Sequence, residues 1–302
     1  MIIAMNGTIR IQHYVPRFYL ANFATQRKRS LLIRVFDKTE SRSFETNIEN
    51  IAAESHFYDT SSIGFRSKQL VEKLLSRMES RFAISYGKII REEDLSKLSL
   101  EERASVAYFI VMQELRTREY RETMSDIMRQ LRQRLSGEKL SEELDRQLRE
   151  EATEESIKVA QAAMLFKDGP EFAGIIGAMN WILLRNKTDK PYWTSDHPVN
   201  RHNDIDQPLL GNLGLLNPGI QVFFPLSSML ALFIFDPTMY STSIDKYEIT
   251  DPQNVIFQNS LQVQWSTRHV FSVNDDFSLA TEVIRKMPQV RDVKRKRFIE
   301  VN

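Results

Sequence analysis

The spacing of apolar and polar residues divides the chain into an extended third, a helical third and a second extended third. Residues 31–37 (LLIRVFD) and 42–48 (RSFETNI) flank a polar KTES and predict a β-hairpin. Upstream, Pro16 pushes the residue before it toward extended geometry and itself suits a first helical position. An extended entry over 12–15 and one or two helical turns from Pro16 follow. In the middle, Leu70, Leu74, Met78 and Phe82, with Val71 and Leu75 beside them, predict an amphipathic helix over about 67–90. Ser99 and Glu102 form a capping box that opens a long helix, 99–136. Its apolar positions are Ala107, Ile110, Val111, Leu115, Met124, Ile127, Met128, Leu131 and Leu135, and Gly137 stops it. A third helix, 141–166, is far more polar and is broken by Gly169-Pro170.

The last third returns to strands. WILLRN (181–186) and PYWTSD (191–196) bracket KTDK as a second hairpin. QVFFPL (221–226) and MLALFIFD (229–236) form another pair, apolar enough to be buried on both faces. A helix near 253–265 and a short strand, RHVFSV, complete the pattern. The order strands, helices, strands argues for an α+β fold: a mixed or antiparallel sheet built from N- and C-terminal strands around a central helical section, about 67–180. The length of 302 residues fits a single integrated domain, with 285–302 as a basic and mobile tail.

Composition narrows the chemistry. There is no cysteine, which excludes disulfides, thiolate metal sites and a Cys nucleophile. The 41 Lys+Arg and 40 Asp+Glu leave a formal charge of +1, against a wholesale polyanion binder but not against a local basic patch. The opening residues lack a basic stretch followed by a long apolar one, and the apolar runs near 220–225 and 229–235 are too short to span a membrane. A soluble cytoplasmic protein with no membrane partner is the expectation.

Three motifs recur in a known order: QHYVPRFYLANF (12–23), Asn186 followed by YWTSDHPV (192–199), and FPLS (224–227). Gln113 with Leu-Arg-Thr (115–117), and Asn259, Arg268, Phe271 and Ser272, extend the series. With these, the chain resembles domain-of-unknown-function family 4238 over about 12–272. The resemblance implies no established activity. One departure is His197, where the family more usually has Asn; this speaks against a catalytic role for His197 itself.

Several motif residues are candidates for chemistry. His13 titrates near neutrality and suits a general acid or base, or simply fixes the entry segment. Arg17 suits a phosphate or carboxylate, or pairs with Asp196. Asp196, at a strand end, suits a base, a metal ligand or an orienter of His13; a turn role is the plainer alternative. Ser195 lacks a nucleophile-elbow surround. Gln113, Arg116 and Tyr120 share one helix face and need buried partners, from protein or ligand. Glu72 and Glu79 share another face; they read as solvated ion pairs, or as holders of Mg²⁺ or Mn²⁺. No ATP, dinucleotide, zinc-protease or calcium motif occurs, so no cofactor is evident and a divalent metal is left open. Basic clusters lie at 26–29 and 285–297, the second with seven bases against Asp292.

Two functions follow. If His13, Arg17, Gln113, Arg116, Asp196 and Arg268 converge, the chain is a hydrolase of a phosphodiester or phosphate ester, nuclease-like, with His13 and Asp196 catalytic and the others binding substrate. If the motifs only build the fold, it is a non-catalytic binding module for nucleic acid, a ribonucleoprotein or a protein partner, acting through its basic segments.

Overall fold

A computed structural model describes residues 9–60, 69–135, 141–205 and 213–297. In chain order its elements begin with β1 (Ile11–His13), α1 (Arg17–Leu20), β2 (Thr25–Arg27), β3 (Ser30–Asp37), β4 (Arg42–Asn47) and β5 (Ala53–Ser55). The helices α2 (Leu70–Glu92), α3 (Leu100–Leu115), α4 (Arg118–Leu135), α5 (Glu142–Glu151), α6 (Glu154–Ala163) and α7 (Gly169–Ala178) follow. Then come β6 (Asn180–Asn186), β7 (Thr194–Ser195), β8 (Asn200–His202), β9 (Gln221–Pro225), β10 (Leu230–Phe235) and β11 (Lys246–Ile249). The chain closes with α8 (Pro252–Trp265), β12 (His269–Ser272) and α9 (Ser278–Lys286). The fold is α+β.

One sheet runs β2-β3-β12-β7, with β4 on the other side of β3, and so joins N- and C-terminal strands as the pattern predicts. It is antiparallel, with His269 opposite Asp37 and Val270 opposite both Phe36 and Ser195. The second sheet, β11-β6-β10-β9-β8, is mixed, because β11 alone runs parallel to its neighbour. β1 and β5 form a separate two-stranded ribbon.

The main core links all three thirds: Tyr19 and Phe23, then Phe82, Tyr86 and Phe109, then Phe224 and Leu232. Tyr19 stacks on Phe224 with ring centres 5.2 Å apart. The strands β9 and β10 are buried on both faces, as their apolar runs predict, and β6 packs beside them. Leu183, Phe224 and Leu232 face the main core, while Leu184, Phe223 and Ala231 pack with Val255 of α8. Farther along α8, Val263 joins Phe36, Val270 and α9 residues.

Four predicted elements differ. The helix 99–136 is two helices, broken at Arg116–Thr117 with no Gly or Pro present. Thr117 Oγ1 accepts from Tyr120 N and so starts α4, while Gln161 Nε2 donates to the carbonyl freed at Leu115, at 2.8 Å, and to that of Thr117, at 3.1 Å, which also accepts from Arg121 N. The helix 141–166 is also split, at Thr153, whose side chain caps Ser156 N. It then continues through a π-helical turn into α7, and Pro170 does not break it, because the first turn needs no proline N–H. The segments 181–186 and 191–196 are not a hairpin. β6 pairs with β10 and β11, while residues 194–195 cross to the other sheet. Asn186 turns the chain there by donating to Lys190 O at 2.6 Å, and Asn259 fixes it by accepting from Trp193 N and donating to Pro191 O. In the basic segment up to Arg297, Val290 and Arg295 are buried against the fold. The predicted stop at Gly137 and the residues 298–302 lie outside the described residues.

Candidate functional site

The motif residues turn out to hold backbone. Gln12 Oε1 accepts from Tyr58 N at 2.6 Å, and its amide donates to Ile9 O and Asp59. Gln113 donates to Tyr14 O at 2.9 Å. The buried Arg116 donates to His13 O at 2.6 Å, to the Tyr58 hydroxyl and to Glu79. Burial opposes its charge, but Tyr58 and Glu79 more than offset that and hold its pKa above the ordinary value. Gln113 and Arg116 therefore bind the opening motif by its carbonyls, across a sequence gap that no local pattern reveals.

Asp196 does the same at the other end of the chain. Its carboxylate accepts from the backbone N–H of Thr267, Arg268 and His269, each at 2.8 Å, and it is 1% exposed. Ser195 Oγ donates to His197 O and Gln262, and Gln262 reaches Pro198 O. These bonds fix the crossing loop to the C-terminus of α8. Lys38 completes the junction: fully buried, it donates to Val263 O at 2.7 Å and Ser266 O at 2.6 Å, cation against helix C-terminus. Burial pulls its pKa down to about 7, with Arg295 lowering it further.

The six sequence candidates are not gathered around one cleft. His13 is half-buried, with Nε2 3.2 Å from Glu49 O, and burial followed by Arg17 lowers its pKa. Arg17 is exposed and pairs with Glu49 at 3.5 Å, not with Asp196. Arg268 forks onto Asp37 and reaches Glu40. Asp196 is spent on backbone, Arg116 is divided among His13 O, Tyr58 and Glu79, and Gln113 holds Tyr14 O while its buried Oε1 has no partner among the described residues. Glu79 holds Arg116, whereas Glu72 has one buried oxygen without a partner, and burial raises its pKa to about 7. No group of three or more metal-ligating side chains occurs among the described residues.

A different region collects charge on an open surface. A groove of about 600 Å³ lies between α4, the start of α6 and the C-terminal segment. Arg118, Arg121, Arg129, Arg132 and Lys294 line it, against Glu122 and Glu154. The four arginines and Ser125 occupy positions i, i+3, i+7, i+11 and i+14, one face of α4 over about 21 Å at 1.5 Å per residue. The adjoining, buried flank of α4 carries the acids, with Glu122 at the edge of the groove. Glu119 holds Arg295 and Arg297, Glu122 holds Lys294, and Asp126 accepts from Arg297 N. The basic tail is therefore partly paired within the fold, Lys294, Arg295 and Arg297 meeting acids of α4. Its partner was visible in sequence as Glu119, Glu122 and Asp126 at i, i+3 and i+7, but the apolar reading of α4 hid it: Ile127 and Leu131 are 44% and 40% exposed.

The groove cations differ in how they are compensated. Arg118 pairs with Glu54 and Glu122, Arg129 with Asp126, and Lys294 with Glu122. Arg121 is buried, donates to Gln161 Oε1 and Phe57 O, and lies 3.6 Å from the centre of the Phe57 ring. Those partners are neutral, and burial lowers its pKa to about 10.

Fold and site thus define an α+β protein with a backbone-clasping polar junction and an arginine-lined groove. The chain belongs to the family described as protein of unknown function (DUF4238), whose model matches residues 11–276. No curated protein and no solved structure matches it. No helix among the described residues is long and apolar enough to cross a membrane.

Proposed function

We propose that the chain is a binding module for nucleic acid, taking the phosphate backbone along the α4 groove. The arginine stripe carries this reading: five cations against two carboxylates on one open surface, when the chain as a whole is nearly neutral. Its length of about 21 Å suits several successive phosphates. Among the described residues no aromatic side chain lines the groove, so recognition there rests on phosphate rather than on base stacking. Fluorescence anisotropy with a labelled single-stranded oligonucleotide tests it. Binding is expected to weaken steeply between about 50 and 200 mM salt, and at least about tenfold in an Arg118/Arg129/Arg132→Ala variant. Salt-insensitive binding, or none, would overturn the reading. Truncation of 285–302 is the poorer test, since it also removes the cations that neutralise Glu119 and Glu122.

A second reading, a hydrolase of a phosphodiester or phosphate ester, has one observation in its favour. His269 lies 3.7 Å from Asp37 and 4.0 Å from Asp196, and its buried Nδ1 has no hydrogen-bond partner among the described residues. Turnover of bis(4-nitrophenyl) phosphate, lost in His269→Gln with folding intact, is the outcome this reading requires.

A further inference from the structure

The groove poses a charge problem at one residue. A buried guanidinium ordinarily meets a carboxylate, because an uncompensated charge is costly away from water. Arg121 has no ion pair among the described residues, and its Nη1 makes no hydrogen bond there. The contacts it does make hold it rigidly: Gln161 at 2.9 Å, Phe57 O at 3.0 Å, and the Phe57 ring beneath. One helical turn away, Arg118 spends Nε on Glu122 and Nη1 on Glu54, leaving Nη2 without a hydrogen bond among the described residues. Both side chains line the same groove. Positions i and i+3 on a helix stand about 5–6 Å apart. That is a separation one phosphoryl group can bridge, with an oxygen to each guanidinium.

We propose that Arg121, with Arg118, forms a subsite for a phosphate monoester, so that the groove selects a strand end bearing a terminal phosphate. The proposal rests on the nucleic-acid reading of the groove. A monoester carries close to two negative charges at neutral pH and three terminal oxygens. A backbone diester carries one charge and two such oxygens. In a partly desolvated site the second charge counts for more than it does in water; Arg121 and Arg132 are the groove cations with no carboxylate partner among the described residues, and of the two Arg121 is the buried one. The internal phosphates of the strand are then left to Arg129, Arg132 and Lys294.

The test compares labelled oligonucleotides of one sequence, with a 5′-phosphate or a 5′-hydroxyl, on the full chain. The wild type is expected to bind the phosphorylated strand about tenfold more tightly, the increment of one charge-assisted hydrogen-bond pair. Arg121→Lys keeps the charge but loses the planar fork, and is expected to bring the two strands within about twofold. Because the wild-type comparison needs no variant, it stands even if Arg121→Lys is poorly folded. Equal, salt-sensitive affinity for both strands overturns the monoester subsite and leaves the groove reading in place. No binding of either strand overturns both. A nucleoside 5′-monophosphate that binds as tightly as the phosphorylated strand upholds the monoester chemistry and removes the strand as its source.

Discussion

The junction around Asp196 and the groove along α4 are both rich in polar side chains, yet they treat charge in opposite ways. At the junction, polar atoms meet backbone partners in a dry setting: Asp196 takes three N–H groups and Lys38 takes two carbonyls. In the groove, cations outnumber carboxylates and Arg121 has only neutral partners. The lesson is that a run of polar motif residues marks a place where backbone must be satisfied as readily as it marks chemistry. Surplus charge is the more informative sign of a ligand.

The contrast can be broken at several points. The largest effect is expected from Asp196→Ala, which strands three backbone donors and should cost at least about 3 kcal/mol in urea unfolding. A loss below about 1 kcal/mol would mean that the junction admits water. Arg116→Met should come next, at about 3 kcal/mol, since it uncovers Glu79, the Tyr58 hydroxyl and His13 O together.

Lys38 offers a pH signature. Its folded pKa of about 7 lies below the unfolded value of 10.5, so between those values the unfolded chain binds the extra proton. Its contribution therefore makes stability rise with pH, by about 2 kcal/mol from pH 7 to 9. The neutral amine still has two N–H donors for Val263 O and Ser266 O. Lys38→Met should abolish that rise, and an unchanged pH profile would remove Lys38 from the account.

Smaller changes belong to the surface. Arg132→Ala should leave stability within about 0.5 kcal/mol, while weakening oligonucleotide binding about threefold and lowering the salt slope by about one. His13→Ala should be smallest, under about 0.5 kcal/mol with binding unchanged, because its ring makes one half-exposed contact to Glu49 O. A large loss of binding there would return His13 to the site.

Much of the fold was legible in local pattern. The capping box at Ser99 and Glu102, the 31–47 hairpin and the double-faced strands β9 and β10 follow from spacing and residue type. The candidate site was legible only in part. Gln113 and Arg116 read as needing buried partners, and those partners include the carbonyls of Tyr14 and His13, 99 and 103 positions away. The break at Thr117 escaped notice because the residue that stabilises it is Gln161 on another helix. The groove escaped because the apolar residues Ile127 and Leu131 suggested a core-facing α4, and its buried face is instead acidic.

By itself the sequence determined where the main helical section and the principal strands lie, since those depend on side-chain periodicity and on caps within a few residues. It also determined that chemistry must come without thiols. Only the tertiary structure decided what each polar group does. Tyr19 finds Thr194 across 175 positions, and Arg297 finds Glu119 across 178. A hydrogen bond or ion pair is set by distance in space, and it is the packed core that brings such residues together, leaving Arg121 in the groove with neutral partners alone.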